Sequence, residues 1–93
     1  MPRPRIRRRI RGKPEATYFK PAGIRMIDLE ESVLDINEFE AIRLVDFEGI
    51  EQEQAGKSME ISQPTLSRLL KSARRKISEA IVKGKAIKIE KEG

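Results

Sequence analysis

Apolar residues recur at three- and four-residue steps along Leu66, Leu69, Leu70, Ala73, Ile77, Ala80 and Ile81, the period of one helix face. Ser62 precedes this run as an N-cap, and Pro64 falls in the first turn, where a missing N–H costs little. A helix is therefore predicted from Gln63 to about Lys83, with Gly84 as its left-handed cap. Glu51 to Met59 predicts a shorter, acidic helix just upstream, separated from it by a tight break. Ala55 and Gly56 are small enough for the two helices to cross closely, while Met59, Ile61, Leu66 and Leu69 fill the wedge between them. The pattern is that of a helix-turn-helix.

The rest of the chain gives shorter elements. Asn37 is read as a cap with Glu40 reaching back to it, opening a helix that runs to about Phe47 and ends at Gly49. Ala41, Ile42, Leu44 and Val45 form its core face, and Phe39 and Phe47 fall elsewhere, which implies a second buried contact with the N-terminal segment or another subunit. Ile24 to Glu31 suits a short helical turn, and Ser32 to Asp35 a short extended piece. Between the turn signals of Lys13 to Gly23, Tyr18 and Phe19 are expected to pin an irregular segment to the helical body. Lys85 to Glu90 alternates polar and apolar and predicts a half-buried strand, paired with Val33-Leu34 or with a second subunit. The fold class is mostly α: one helix-turn-helix domain of three to four helices over 13–93, a short C-terminal strand, and a basic, disordered arm over 1–12.

Charge adds a partner to this picture. The net +5 hides a segregation: Met1 to Lys13 holds seven basic residues and no acid, Asp28 to Glu60 eleven acids against two basic residues, and Ile61 to Gly93 nine basic residues against three acids. Basic ends around an acidic middle point to a polyanion. On the long helix, Arg68, Lys71 and Arg75 lie opposite the apolar stripe, flanked by Thr65, Ser67 and Ser72, with Ser62 and Gln63 at the helix start. Hydroxyls near a helix start, followed by Arg and Lys, suit base edges and phosphates in a major groove. A solvated basic face is the alternative, and the preceding turn favours DNA. In the arm, Arg3, Arg5, Arg7, Arg8, Arg9 and Arg11 are expected on the DNA backbone or in a minor groove.

Composition also excludes chemistry. With no Cys and no His, disulfides, thiolate and histidine catalysis and the common zinc sites are out of reach. Glu48, Glu51 and Glu53 read as a solvated acidic face rather than a metal cluster or an acid–base pair, so no enzyme, cofactor or metal is expected. No stretch is apolar enough to span a bilayer, and a cytoplasmic location without a membrane partner is expected.

The stretches Tyr18-Phe19-Lys20-Pro21-Ala22-Gly23-Ile24, Glu38 to Leu44 with Glu48-Gly49, Ile61 to Arg68, Ser72 to Lys76, and Gly84 to Ile89 together resemble a family of small bacterial and archaeal proteins. Members of that family are expected to bind DNA through a helix-turn-helix like that of sigma factor region four. The resemblance implies a DNA-binding transcriptional regulator, with Gln63, Thr65, Ser67, Arg68 and Lys71 where such motifs touch bases or phosphates. It implies no ligand. Longer relatives look as if they add a domain similar to nitrogenase-cofactor accessory proteins, outside what these residues provide. Glu60 stands where the motif usually has a left-handed glycine, at a cost of roughly 1 kcal/mol. Glu51 replaces a usual hydroxyl cap, and Ile10-Arg11-Gly12 replaces a stretch that often holds a cysteine. The expected partner is double-stranded DNA, bound by a homodimer. Contact with RNA polymerase as a sigma-like adaptor, or non-specific RNA binding, are the alternatives.

Overall fold

The computed structural model describes residues 10–90. A long helix, α3 (Gln63–Lys83), packs one side on two shorter helices and on a small sheet. Its ends are where the sequence puts them. Ser62 Oγ accepts from Thr65 N at 3.3 Å, and Gly84 closes the helix at φ 68°. Leu66, Leu70, Ala73 and Ala80 are buried, each at most 3% exposed. Ile81 departs from the expected stripe and is 73% exposed. A four-residue step from Ile77 overshoots the helical period of about 3.6 residues, carrying Ile81 toward solvent beside the inward Ala80.

Upstream, α1 (Ile36–Ile42) continues into a π-helical turn over Arg43–Phe47, and Gly49 then takes φ 76°. The cap of α1 is Asp35, not Asn37: Asp35 Oδ1 accepts from Glu38 N at 2.9 Å while Glu38 Oε1 accepts from Asp35 N at 3.0 Å. The reciprocal box therefore sits two residues before the expected one, because Asp35 ends a strand in extended geometry with Glu38 three residues on. Glu40, freed from capping, is fully buried instead. The second helix, α2 (Gln52–Met59), starts from Glu51 without a side-chain cap.

The sheet has the order β1-β3-β2, from β1 (Tyr18–Phe19), β2 (Glu31–Asp35) and β3 (Ala86–Glu90). β3 lies parallel to β2, with Leu34 opposite Ile89, and antiparallel to β1, with Tyr18 opposite Lys88. The expected pairing of β3 with Val33-Leu34 is thus present within one chain. Tyr18-Phe19, expected in an irregular segment, instead adds a third strand, because β3 has a second edge to satisfy. A single turn of 3₁₀ helix, Met26–Asp28, precedes β2.

Two apolar clusters join these layers. Ala41, Leu44, Ala55, Met59, Leu66 and Leu70 bind the three helices together. Leu34, Ala73 and Ile89, with Phe39, Ile42 and Ile77 against them, fasten the sheet to α1 and α3. Ile10 packs on the helical cluster, and the backbone N–H groups of Arg11 and Gly12 donate to Glu40 at 3.0 and 3.2 Å. The chain is therefore anchored already at Ile10 to Gly12, which were expected to belong to a free arm. No helix of the described residues is long and apolar enough to cross a membrane.

Candidate nucleic-acid interface

The break between α2 and α3 is built residue by residue. Gly56 O accepts from Ile61 N at 3.0 Å, and a Cβ at Gly56 would come within 3.2 Å of the Ile61 carbonyl oxygen. Only a glycine leaves that approach free of crowding. Glu60 takes φ 60° and ψ 44°, the left-handed conformation anticipated from its place in the motif. It is the sole non-glycine residue with positive φ among the described residues. Ser62 then caps α3, also donating to Thr65 Oγ1 at 2.9 Å.

The rotation of α3 about its axis is set from beneath by a buried carboxylate. Glu38, 3% exposed, accepts from Lys76 Nζ at 2.8 Å and from Ser72 Oγ. Ser32 Oγ donates to the Lys76 carbonyl at 3.0 Å. Burial pushes the Glu38 carboxyl up, but the hydrogen bonds from Lys76, Ser72 and the Asp35 backbone outweigh it and hold the group below the ordinary carboxylate range. Lys76 and Ser72, one turn apart, thus face α1, Leu66, Leu70, Ala73 and Ala80 face the core, and the remaining arc of α3 faces out.

On that outward side stand Gln63, Ser67, Arg68, Lys71 and Arg75, all exposed. Among the described residues, Arg68 and Lys71 have no ion-pair or hydrogen-bond partner, and Arg75 makes no hydrogen bond but lies close enough to Glu79 to help lower its carboxyl. The other expected contact residues are placed differently. Ser62 is exposed but occupied as a cap, and Thr65 is half-buried against it. Ser72 is turned inward to Glu38, because a four-residue step from Arg68 drifts toward the core. Arg11 is exposed at its anchored backbone, whereas Arg3, Arg5, Arg7, Arg8 and Arg9 lie outside the described residues.

One cation on this side escaped the sequence reading. Arg74 is engaged by Asp46 of the π turn, with Nη2 2.7 Å from Oδ1 and Nε 3.1 Å from Oδ2. The pair keeps Asp46 below the usual carboxylate range and raises Arg74. The seven-residue step from Ser67 to Arg74 could have placed it on the outward face, but its acidic partner comes from another element.

A second buried carboxylate governs where the chain enters this domain. Glu40 is 0% exposed and accepts four hydrogen bonds: Arg43 Nε and Nη2 at 2.9 Å each, Arg11 N at 3.0 Å and Gly12 N at 3.2 Å. Burial raises its carboxyl, and the Arg43 guanidinium with the two backbone donors more than offsets that, leaving it lowered. A Cβ at Gly12 would sit 2.0 Å from Arg43 Nε, so residue 12 must lack one unless that guanidinium shifts. No group of three or more Asp or Glu among the described residues is arranged to hold a metal ion.

The profile of a family described as "Protein of unknown function DUF134" matches residues 1–93. A UPF0251 protein of Caldanaerobacter subterraneus is 52% identical over 90 residues, covering 97% of this chain and 76% of the relative. A UPF0251 protein of Moorella thermoacetica is 53% identical over 90 residues, covering 97% of this chain and 60% of the relative. A third, from Dehalococcoides mccartyi, is 51% identical over 90 residues, with 97% and 77% coverage. No solved structure matches the chain. Matched from end to end by that profile and for nearly all its length by these relatives, the chain belongs to the DUF134 family of UPF0251 proteins.

Proposed function

We propose that this protein is a sequence-specific DNA-binding regulator of transcription, acting as a homodimer on double-stranded DNA. In this reading α2 and α3 form a helix-turn-helix similar to that of sigma factor region four, and α3 enters a major groove. One observation carries it. The left-handed turn at Glu60 and the Ser62 cap lead into a helix whose outward face presents Gln63, Ser67, Arg68, Lys71 and Arg75, with Arg68 and Lys71 unpaired among the described residues. Ser67 and Arg68 are suited to base edges, and Lys71 and Arg75, further along, to phosphates. The arm from Arg3 to Arg11 adds backbone or minor-groove contacts, starting from the fixed point that Glu40 gives it.

Selection of binding sites from a random duplex pool tests this assignment. Arg68→Ala is expected to relax preference at one base pair, where a lost bidentate contact is worth about 1–3 kcal/mol, and Lys71→Ala to weaken all sequences alike. An unchanged preference in Arg68→Ala overturns the assignment of α3 as the reading helix. A second reading, an adaptor contacting RNA polymerase, is favoured by the exposed Glu48, Glu51 and Glu53 around the start of α2. It predicts capture of polymerase subunits without protection of a specific duplex.

A further inference from the structure

Away from the α3 face, a groove of about 580 Å³ runs between the segment Lys13 to Phe19 and the α1–π turn. All three phenylalanines of the chain, Phe19, Phe39 and Phe47, line it. Phe39 is half-buried against the sheet cluster, forming part of the floor, whereas Phe47 is 80% exposed at the rim. That exposure is built into the backbone, since Phe47 ends the π-helical turn and the left-handed Gly49 follows two residues on. Lys13 and Glu15, of opposite sign, border the same groove, and neither has a partner among the described residues.

We infer that this groove is the interface of a two-fold dimer of the chain, each Phe47 entering the groove of the other copy and Lys13 of each copy facing Glu15 of the other. A two-fold contact requires a surface complementary to itself. This one carries both a projecting ring and an apolar slot, and both an acid and a base, so it fits a second copy. A wholly basic or wholly acidic partner would leave one rim charge opposed. Aromatic side chains, Phe among them, are enriched in the cores of protein interfaces, where a few residues in desolvated pockets carry most of the energy. The inference rests on the DNA-binding reading only in supplying the dimer which that reading invokes, and it is measured without DNA.

The experiment is sedimentation of the full chain over a concentration series, with circular dichroism confirming the fold of each variant. Wild type is expected to be a dimer. Phe47→Glu should raise the dimer dissociation constant by a hundredfold or more, and Ile81→Glu, at an exposed apolar residue outside the groove, should leave it unchanged. Lys13→Glu and Glu15→Lys should each weaken self-association several-fold, and mixing the two variants should restore it, because only the mixed dimer pairs opposite charges. A wild type monomeric throughout, a dimer that survives Phe47→Glu, or one broken by Ile81→Glu would each overturn the inference. Loss of sequence-specific DNA binding in a protein that still dimerises through Phe47 would instead count against the functional reading alone.

Discussion

Arg74 reaches from α3 to Asp46 with two of its nitrogens, Nη2 at 2.7 Å and Nε at 3.1 Å, on the same side of the helix as Ser67 and Lys71. An acid at the border of a face proposed to meet phosphates both occupies a cation and repels the ligand. Asp46→Ala should therefore strengthen binding to all duplexes alike and steepen the dependence on salt, by about one further released counterion if Arg74 takes up a phosphate. Stability should change by less than about 1 kcal/mol, because both side chains are well exposed. Weaker binding in Asp46→Ala, measured by titration at two salt concentrations, would show that Asp46 positions Arg74 for DNA rather than competing for it.

Ser72 separates the helix's two sides. Its hydroxyl serves the buried Glu38, so Ser72→Ala should lower stability by about 1–3 kcal/mol, the range for a hydrogen bond to a buried charged group. Its preference among DNA sequences should match that of wild type. Denaturant unfolding and site selection on the same variant check both halves. A changed preference with unchanged stability would return Ser72 to the reading face.

The left-handed Glu60 offers a gain in stability. Glycine adopts φ 60° without the Cβ penalty of roughly 1 kcal/mol, but Glu60 also makes an interaction of its own, so Glu60→Gly should raise Tm by less than the roughly 4–8 °C that relief of the strain alone would give. Thermal unfolding measures it. No gain would mean that the Glu60 side chain contributes as much as the strain costs.

Acid should unfold the protein through its two buried carboxylates. Glu38 and Glu40 are both lowered when folded, so the stability they contribute is complete above the unfolded value of roughly 4.3 and is lost as pH falls through the lower folded values. Arg43→Ala should cost about 3 kcal/mol or more at neutral pH by leaving the buried Glu40 with only its two backbone donors, and should weaken the acid dependence, because Glu40 loses the partner that holds it low. Unfolding free energies measured between pH 3 and 7 on the order of one pH unit apart would resolve the two profiles.

The ends of α3 are set by local signals, and the contacts that tie the elements together are not. Ser62, Pro64 and Gly84 act within a few residues of themselves and are readable from spacing, whereas the left-handed turn at Glu60 is what the family resemblance implies. Of the partners of Glu40 only Arg43 is local; Arg11 and Gly12 lie 28 or more residues from Glu40, and Arg74 lies 28 from Asp46, so those contacts leave no mark in the spacing. Asn37-x-x-Glu40 and Asp35-x-x-Glu38 offer the same box, and only the strand ending at Asp35 decides between them, leaving Glu40 for the core. Ser72 and Ile81 went astray for another reason. Four-residue steps taken from Arg68 and Ile77 drift around a helix of about 3.6 residues per turn, inward in the first case and outward in the second. The strand at Tyr18-Phe19 has no periodicity in two residues, and its existence follows from the free edge of β3.

Whether the outward face of α3 reads DNA sequence, as proposed, is measured by fluorescence anisotropy. Duplexes from the promoters of the protein's own and neighbouring genes would be compared with a shuffled duplex and a hairpin RNA across a salt series. One promoter is expected to be bound about a thousandfold more tightly than the shuffled duplex at physiological salt, a margin typical of specific recognition. Equal, steeply salt-dependent binding to every nucleic acid would contradict it, leaving charge as the only basis of attraction.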